Sequence, residues 1–239
     1  MFGPLTRVFV GGAEIDSPLP RRGRKLVFID GGARKGEAYD WNGQPDCGVM
    51  DLELNVDIHR DRMPIPFPNL KGAEIHMFEP NTRMWVEERH ETAKQISRFA
   101  EAVYVHSVAI WNSNESKEFY VGVNEDWGDV GSTLVRDKKE DLDLESPLQV
   151  QCIDIAEFIK NNFVPQDIVL FKLDIEGAEY DVLPALLKDE EAMNVIKSLY
   201  VEWHHEFVPQ ELLSKMPEIA LQINYWTKKN GLSYAVWPY

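Results

Sequence analysis

Three carboxylates crowd the end of one apolar run. VLFKLDIEGAEY, Val169 to Tyr180, places Asp174, Glu176 and Glu179 directly after Val169, Leu170, Phe171 and Leu173. Such a run is a strand buried between two layers, and an acid at its mouth costs desolvation energy unless it is paired or performs chemistry. The pattern recurs along the chain. KLVFID ends in Asp30 and enters a turn with Gly31, Gly32, Ala33 and Gly36, and AEIHMFEPN ends in Glu79, Pro80 and Asn81. AVYVHSVAIW passes through Ser107, Val108 and Ala109, and SLYVEWHHEF carries Glu202, His204 and His205. In open α/β sheets ligands bind outside the carboxyl ends of the strands, so these five ends converge on one candidate site.

Two kinds of chemistry suit these residue types. Asp174 at a strand mouth is the first candidate for a general base that takes the proton of a weakly nucleophilic hydroxyl, with His204 or His205 second. His204 and His205 alternate faces on a strand, so at most one faces the site. A divalent cation held by Asp174, Glu202 and His204 is the alternative, since carboxylate and imidazole are suitable ligands and the ion would lower the hydroxyl's pKa directly. Glu176 and Glu179 fall early in an expected helix, where acids favour the positive end of the dipole. Glu179 fits that role best, whereas Glu176 fits it and a site role equally.

On the donor side, Gly31, Gly32 and Gly36 do not follow the G-x-G-x-x-G dinucleotide spacing, and an acid stands immediately before them. An acid there suits an ammonium better than a pyrophosphate. S-adenosylmethionine meets the pattern, with its methionine end at Asp30 and the glycine turn, its ribose on Glu79 and its adenine beside Ser107 to Ala109. The bland alternatives are a turn acid capping a helix for Asp30 and an ordinary cap for Glu79.

Elements alternate at βαβ spacing, which predicts a Rossmann-like three-layer α/β sandwich, mainly parallel, with an antiparallel strand near the C-terminus. Residues 1–24 read as an N-terminal arm, an edge extension or a flexible lead-in, and 25–239 as the principal domain. Residues 38–72 are rich in Pro, Gly, Asn and Asp and read as a loop-rich insertion, a candidate acceptor lid in which Tyr39 and Trp41 could stack on a sugar or anchor the loop. Asn81 is expected to cap a helix from Thr82 to Ala102, and a helix is expected around Ile155 to Asn161. His59, His76, His90 and His106 show no evident partner and read as packing or surface residues.

The chain has 239 residues, a net charge of −15 and no long basic cluster. That disfavours a nucleic-acid partner, whose binding depends on phosphate neutralisation. Two cysteines without a framework, no leader pattern and no apolar stretch of membrane-spanning length predict a cytoplasmic protein with reduced thiols.

IDGGARKGE, FEPN, the VAIW strand end, QCIDIAEFI and above all FKLDIEGAEYDVL resemble the FkbM-type methyltransferases of the class I S-adenosylmethionine-dependent fold, over roughly residues 25–207. The resemblance implies O-methylation of a sugar, glycan or polyketide-like hydroxyl. It assigns Asp30, Gly32 and Gly36 to the donor's methionine end, Glu79 to its ribose and Asp174 to the reacting centre. Arg34 and Lys35 stand where the family has a small polar residue, and the 38–72 segment is longer than usual. Two other classes compete. One is a nicotinamide-dependent oxidoreductase on a similar sheet. The other is a non-catalytic interaction protein, in which Asp30 and Glu79 would be paired to internal Lys or Arg.

Overall fold

In the computed structural model the described residues are 5–16, 23–34, 70–123, 129–139 and 141–237, with the backbone of three two-residue strands between 39 and 57. The chain opens with β1 (Thr6–Val10), β2 (Ala13–Ile15) and β3 (Leu26–Gly31), followed by the short β4 (Tyr39–Asp40), β5 (Met50–Asp51) and β6 (Val56–Asp57). Next come β7 (Glu74–Phe78), α1 (Val86–Ile96), β8 (Ala102–His106), β9 (Ala109–Trp111) and β10 (Ser116–Phe119). β11 (Leu148–Asp154) leads into α2 (Ile155–Asn162), then β12 (Ile168–Leu173), α3 (Glu179–Leu186), α4 (Glu190–Val195) and β13 (Ile196–Val201). α5 (Gln210–Leu213), α6 (Met216–Asn230) and β14 (Ser233–Val236) complete the order.

The main sheet runs β14-β13-β12-β3-β7-β8-β1-β2, and its six strands from β14 to β8 are parallel. Alternation along the strands explains the two core layers. Val27 and Ile29 of β3, Val169, Phe171 and Leu173 of β12, and Leu199 and Val201 of β13 pack on one face. Phe28, Leu170 and Tyr200 between them pack on the other, with α1. Both faces are apolar, as a sheet covered on both sides requires.

Several expectations shift in detail. The C-terminal strand β14 is parallel to β13, because α6, with 15 residues, carries the chain back to the starting end of the sheet. The antiparallel strands are instead at the opposite edge, where β1 pairs with β8 and β2 with β1. The helix expected at Thr82 starts only at Val86, because Asn81 Oδ1 accepts from the amides of Arg83 and Met84 and holds a turn, and Trp85 adopts a left-handed conformation (φ 59°). It ends at Ile96, short of Ala102, which belongs to β8. The strand read through Trp111 breaks after His106, and its second half, β9, joins β11 and β10 in a separate three-stranded sheet. The α2 helix agrees with the sequence pattern, and Asp154 caps it by accepting from Glu157 N. Residue 36 and most of 38–72, including Trp41 and His59, lie outside the described residues.

From β3 the sheet grows one way to β7 and β8, and the chain then returns to place β12 on the other side of β3. The order therefore reverses between β3 and β12, the crevice position at which doubly wound sheets bind ligands.

Candidate active site

At that reversal the two strand ends are almost fused. Gly32 has φ +82°, and a Cβ on it would fall 1.6 Å from the carbonyl oxygen of Asp174. Glycine is required there both by conformation and by space. Asp174 N–H donates to Gly31 O (3.1 Å), and Glu202 N–H donates to Leu173 O (3.0 Å), which carries the ladder past the end of β13. Asp30, Asp174 and Glu202 thus sit on three adjacent parallel strands or their direct continuations.

A cavity of about 180 Å³ opens over this junction. One wall holds Gly32, Arg34, Glu79, Pro80 and Asn81, an apolar wall holds Phe78, Ala109, Ile110 and Phe119, and Asp174, Ile175 and Glu176 line the remaining side. Glu79 Oε2 accepts from Arg34 N (2.9 Å) and Oε1 from Asn81 N (2.8 Å), so each oxygen keeps lone-pair capacity for a ligand. Of the third strand's candidates, Ala109 lines the cavity and Val108 is buried nearby in the same core layer, while Ser107 donates its amide to Leu5 O.

Asp129 was not visible as a site residue, because it falls in the polar stretch that follows β10 and looks like ordinary loop. It is buried, and its Oδ1 accepts from Arg34 Nε (3.0 Å) and Nη2 (2.8 Å) and from Trp85 Nε1 (2.7 Å). Its Oδ2 accepts from Asn81 Nδ2 (3.1 Å). Arg34, whose φ is +42°, is thereby held by Asp129 on the wall that carries Glu79.

Beneath the cavity lies a cluster of opposed charges. Lys172, in the middle of β12, donates to Asp30 Oδ1 and Asp174 Oδ2, each at 3.1 Å. His204 Nε2 lies 3.1 Å from Glu176 Oε2, 3.8 Å from Asp174 Oδ1 and 3.9 Å from Glu202 Oε1. Its Nδ1 is 3.2 Å from Glu179 Oε1, an ion-pair distance without hydrogen-bond geometry. The metal candidates Asp174, Glu202 and His204 do come together, with donor atoms all within 4.8 Å of one another.

The environment sets each group's ionisation. Burial alone would lower the His204 pKa, but the contact with Glu179 and the charges of Glu179, Glu176 and Asp174 outweigh it and push the value up to about 10. Burial and the Asp174 charge raise Glu202 to about 8. Burial would raise Asp174 as well, yet Lys172 and His204 hold it below the ordinary carboxylate value. Burial raises Glu176 above its ordinary value, against the opposing pull of His204 and Lys138.

Several sequence assignments are refined. Glu179 does stand in the first turn of α3, but it is also fully buried, and its carboxylate accepts from Ile175 N and Gly177 N, both at 2.8 Å, so that it folds the turn after Asp174. Glu176 precedes α3 rather than entering it and holds a left-handed conformation (φ 57°), with its carboxylate on Lys138 (2.6 Å). His205 is exposed, accepts from or donates to Tyr180 Oη (2.8 Å) and stacks on Trp203, so only His204 of the pair reaches the cluster. Both histidines follow β13 rather than alternating within it, with His205 opening a turn. Asp30 is completely buried on Lys172 and is not among the cavity-lining residues. It therefore meets the internal-pairing criterion for a non-catalytic protein, whereas Glu79 is held by backbone amides.

An open parallel sheet with a glycine turn, an acid on the next strand and a cavity at the topological reversal defines a protein that binds a ligand at the strand ends. The model of the methyltransferase FkbM domain matches residues 30–228. The chain belongs to the FkbM methyltransferase family, and methyl transfer rather than hydride transfer is its class of activity. No curated protein and no solved structure matches the chain.

Proposed function

We propose that the protein transfers a methyl group from S-adenosylmethionine to a hydroxyl of a sugar, glycan or related metabolite, acting in the cytoplasm. The observation that carries this reading is the two-sided cavity, with a glycine cradle and Glu79 on one side and Asp174 on the other. The donor fits these residues. Gly32 admits close backbone approach, the free lone pairs of Glu79 suit ribose hydroxyls, and Phe78, Ile110 and Phe119 offer an apolar wall for a purine. When bound, it supplies an electrophilic methyl carbon on a sulfonium.

Everything else falls to the chain. Methyl transfer is an in-line displacement, so much of the rate comes from holding the acceptor oxygen in position. Asp174 lines the cavity, is kept ionised by Lys172 and His204, and accepts the hydroxyl proton. His204 is protonated at neutral pH and cannot take that proton; it serves as the cation that stabilises the carboxylates around it. The grouping of Asp174, Glu202 and His204 favours one second arrangement, in which a divalent cation held there lowers the hydroxyl's pKa.

Calorimetric titration with S-adenosylhomocysteine is expected to give saturable heat; neither heat nor a thermal shift removes the donor assignment. Asp174→Asn should lower turnover by about 10²–10⁴-fold, the usual contribution of a general base, with donor affinity nearly unchanged. Labelled-donor assays over a panel of sugars and glycans, with and without EDTA, identify the acceptor and decide between the two arrangements.

A further inference from the structure

Lys172 is the one charged residue within the apolar run of β12, and nothing in methyl transfer as such requires it. Its register partner on the neighbouring strand is Asp30. Both face the core layer of Phe28 and Leu170, and the Lys172 ammonium lies 5.6 Å from the centre of the Trp237 ring. Its side chain is 4% exposed and that of Asp30 is 0% exposed. A buried ammonium in an apolar layer is costly unless its partners fix it in place. Here the partners are two carboxylates on opposite sides of the topological reversal, one before the glycine turn and one at the cavity.

We propose that Lys172 is a positioning residue for the transfer reaction: by bridging Asp30 and Asp174 it fixes the orientation of the Asp174 carboxylate against the strand that carries the glycine turn. Asp30 then serves as the counter-anchor of that bridge and not as a donor contact. Three links tie the same two strand ends together, namely the ammonium bridge, the Asp174 amide on Gly31 O, and the bare face of Gly32 against the Asp174 carbonyl. Of these only the bridge reaches the carboxylate itself. His204 approaches the other carboxylate oxygen of Asp174 at 3.8 Å, beyond hydrogen-bond range, so of the two cations it is Lys172, at 3.1 Å, that holds the carboxylate.

The inference rests on the methyltransfer reading for its kinetic arm and is independent of it for its spectroscopic arm. In protein labelled with ¹³C at the aspartate carboxyl carbons, the Asp174 signal is assigned by its loss in Asp174→Asn. At neutral pH it should be a single narrow line in the wild type and broaden in Lys172→Met, where the carboxylate loses its fixed orientation. In turnover assays Lys172→Met should lower kcat by about 10²-fold, the size of a small misplacement of a reacting group. The KM for the donor should change little. Lys172→Arg, which keeps the charge, should recover part of both the rate and the narrow line. Because Lys172→Met leaves two buried acids, the Asp30→Asn/Lys172→Met pair removes one of them and carries the same test in a more stable background. Wild-type kcat and an unchanged Asp174 line width in that double variant would falsify the positioning role and leave Lys172 as a purely structural charge. Failure of S-adenosylhomocysteine to bind the wild type would overturn the donor assignment instead, with the carboxyl line width still deciding the role of Lys172.

Discussion

The sheet contains two buried polar clusters, and they are built on opposite terms. In the half formed by β7, β8 and β1, Lys25 pairs with Glu74, Glu74 Oε1 meets His76 Nε2 (2.9 Å), His76 Nδ1 meets His106 Nε2 (3.0 Å), and His106 Nδ1 meets Thr6 Oγ1 (2.9 Å). Burial lowers the pKa of both imidazoles, so both are neutral. One proton assignment then satisfies every link: His76 donates to the carboxylate, His106 to His76, and Thr6 to His106. Charge is balanced, and the rings stack on Tyr104 and Phe78. At the cavity, by contrast, the cations that Asp30, Asp174, Glu176, Glu179 and Glu202 face among the described residues are Lys172, Lys138 and His204. Burial, with the added negative charge of Asp174, raises the pKa values of Glu176 and Glu202. A buried network that closes on itself is structure. One left unbalanced beside a cavity is what a reacting site requires.

The sharpest way to break this comparison is at the junction under the cavity. Gly32→Ala imposes a left-handed conformation worth about 1–2 kcal/mol on a residue with a Cβ, and adds a backbone collision with Asp174. Both donor binding and turnover should be lost, with a lowered melting temperature; native affinity for S-adenosylhomocysteine would show that the two strand ends are not coupled. The balanced cluster should respond differently. His106→Phe strands Thr6 and His76, at about 1–3 kcal/mol for each buried group left unpaired. Denaturant unfolding should show that loss while calorimetry shows unchanged donor affinity.

The smallest effect is on pH dependence, where the two clusters act in opposite directions. His76 and His106 have folded-state pKa values below the ordinary 6.5, so the unfolded chain binds more protons in acid and their contribution is lost as pH falls below that value. The His204 pKa is raised, so its contribution is complete below 6.5 and is lost as pH rises from there through about 10. Melting temperature against pH should fall on both sides of neutrality, and His204→Gln should flatten the alkaline side alone.

Much of this was legible in the sequence because it is local. The apolar runs, their acidic ends and the glycine turn follow from period-2 patterning and from turn chemistry, and they place Gly32, Glu79 and Asp174 at one cavity. What escaped depends on contacts across the chain. The Lys172 partner Asp30 is 142 residues away, Asp129 sits in a loop with no periodicity, and the histidine chain spans three strands. Glu179 stands at the helix start as its position implies, but its hold on the turn before it was not legible, because a helix-start acid looks the same whether it faces solvent or folds back. The direction of β14 depends on the crossover by α6, which sets which end of the sheet the chain returns to.

Glu176 is held in its left-handed conformation by attachments to residues 129–139, with Lys138 on its carboxylate and Thr133 Oγ1 donating to its carbonyl (2.7 Å). Gly32 and Asp174 stand at the ends of two neighbouring strands, and those ends are in backbone contact, so a change at either is constrained by the other. The 129–139 segment borders the cavity from outside that unit and is joined to it largely through side chains. A change of acceptor is therefore most accessible there, and a library directed at new acceptors should vary Val130, Ser132 and Leu134 while residues 30–34 and 172–177 are left as they are.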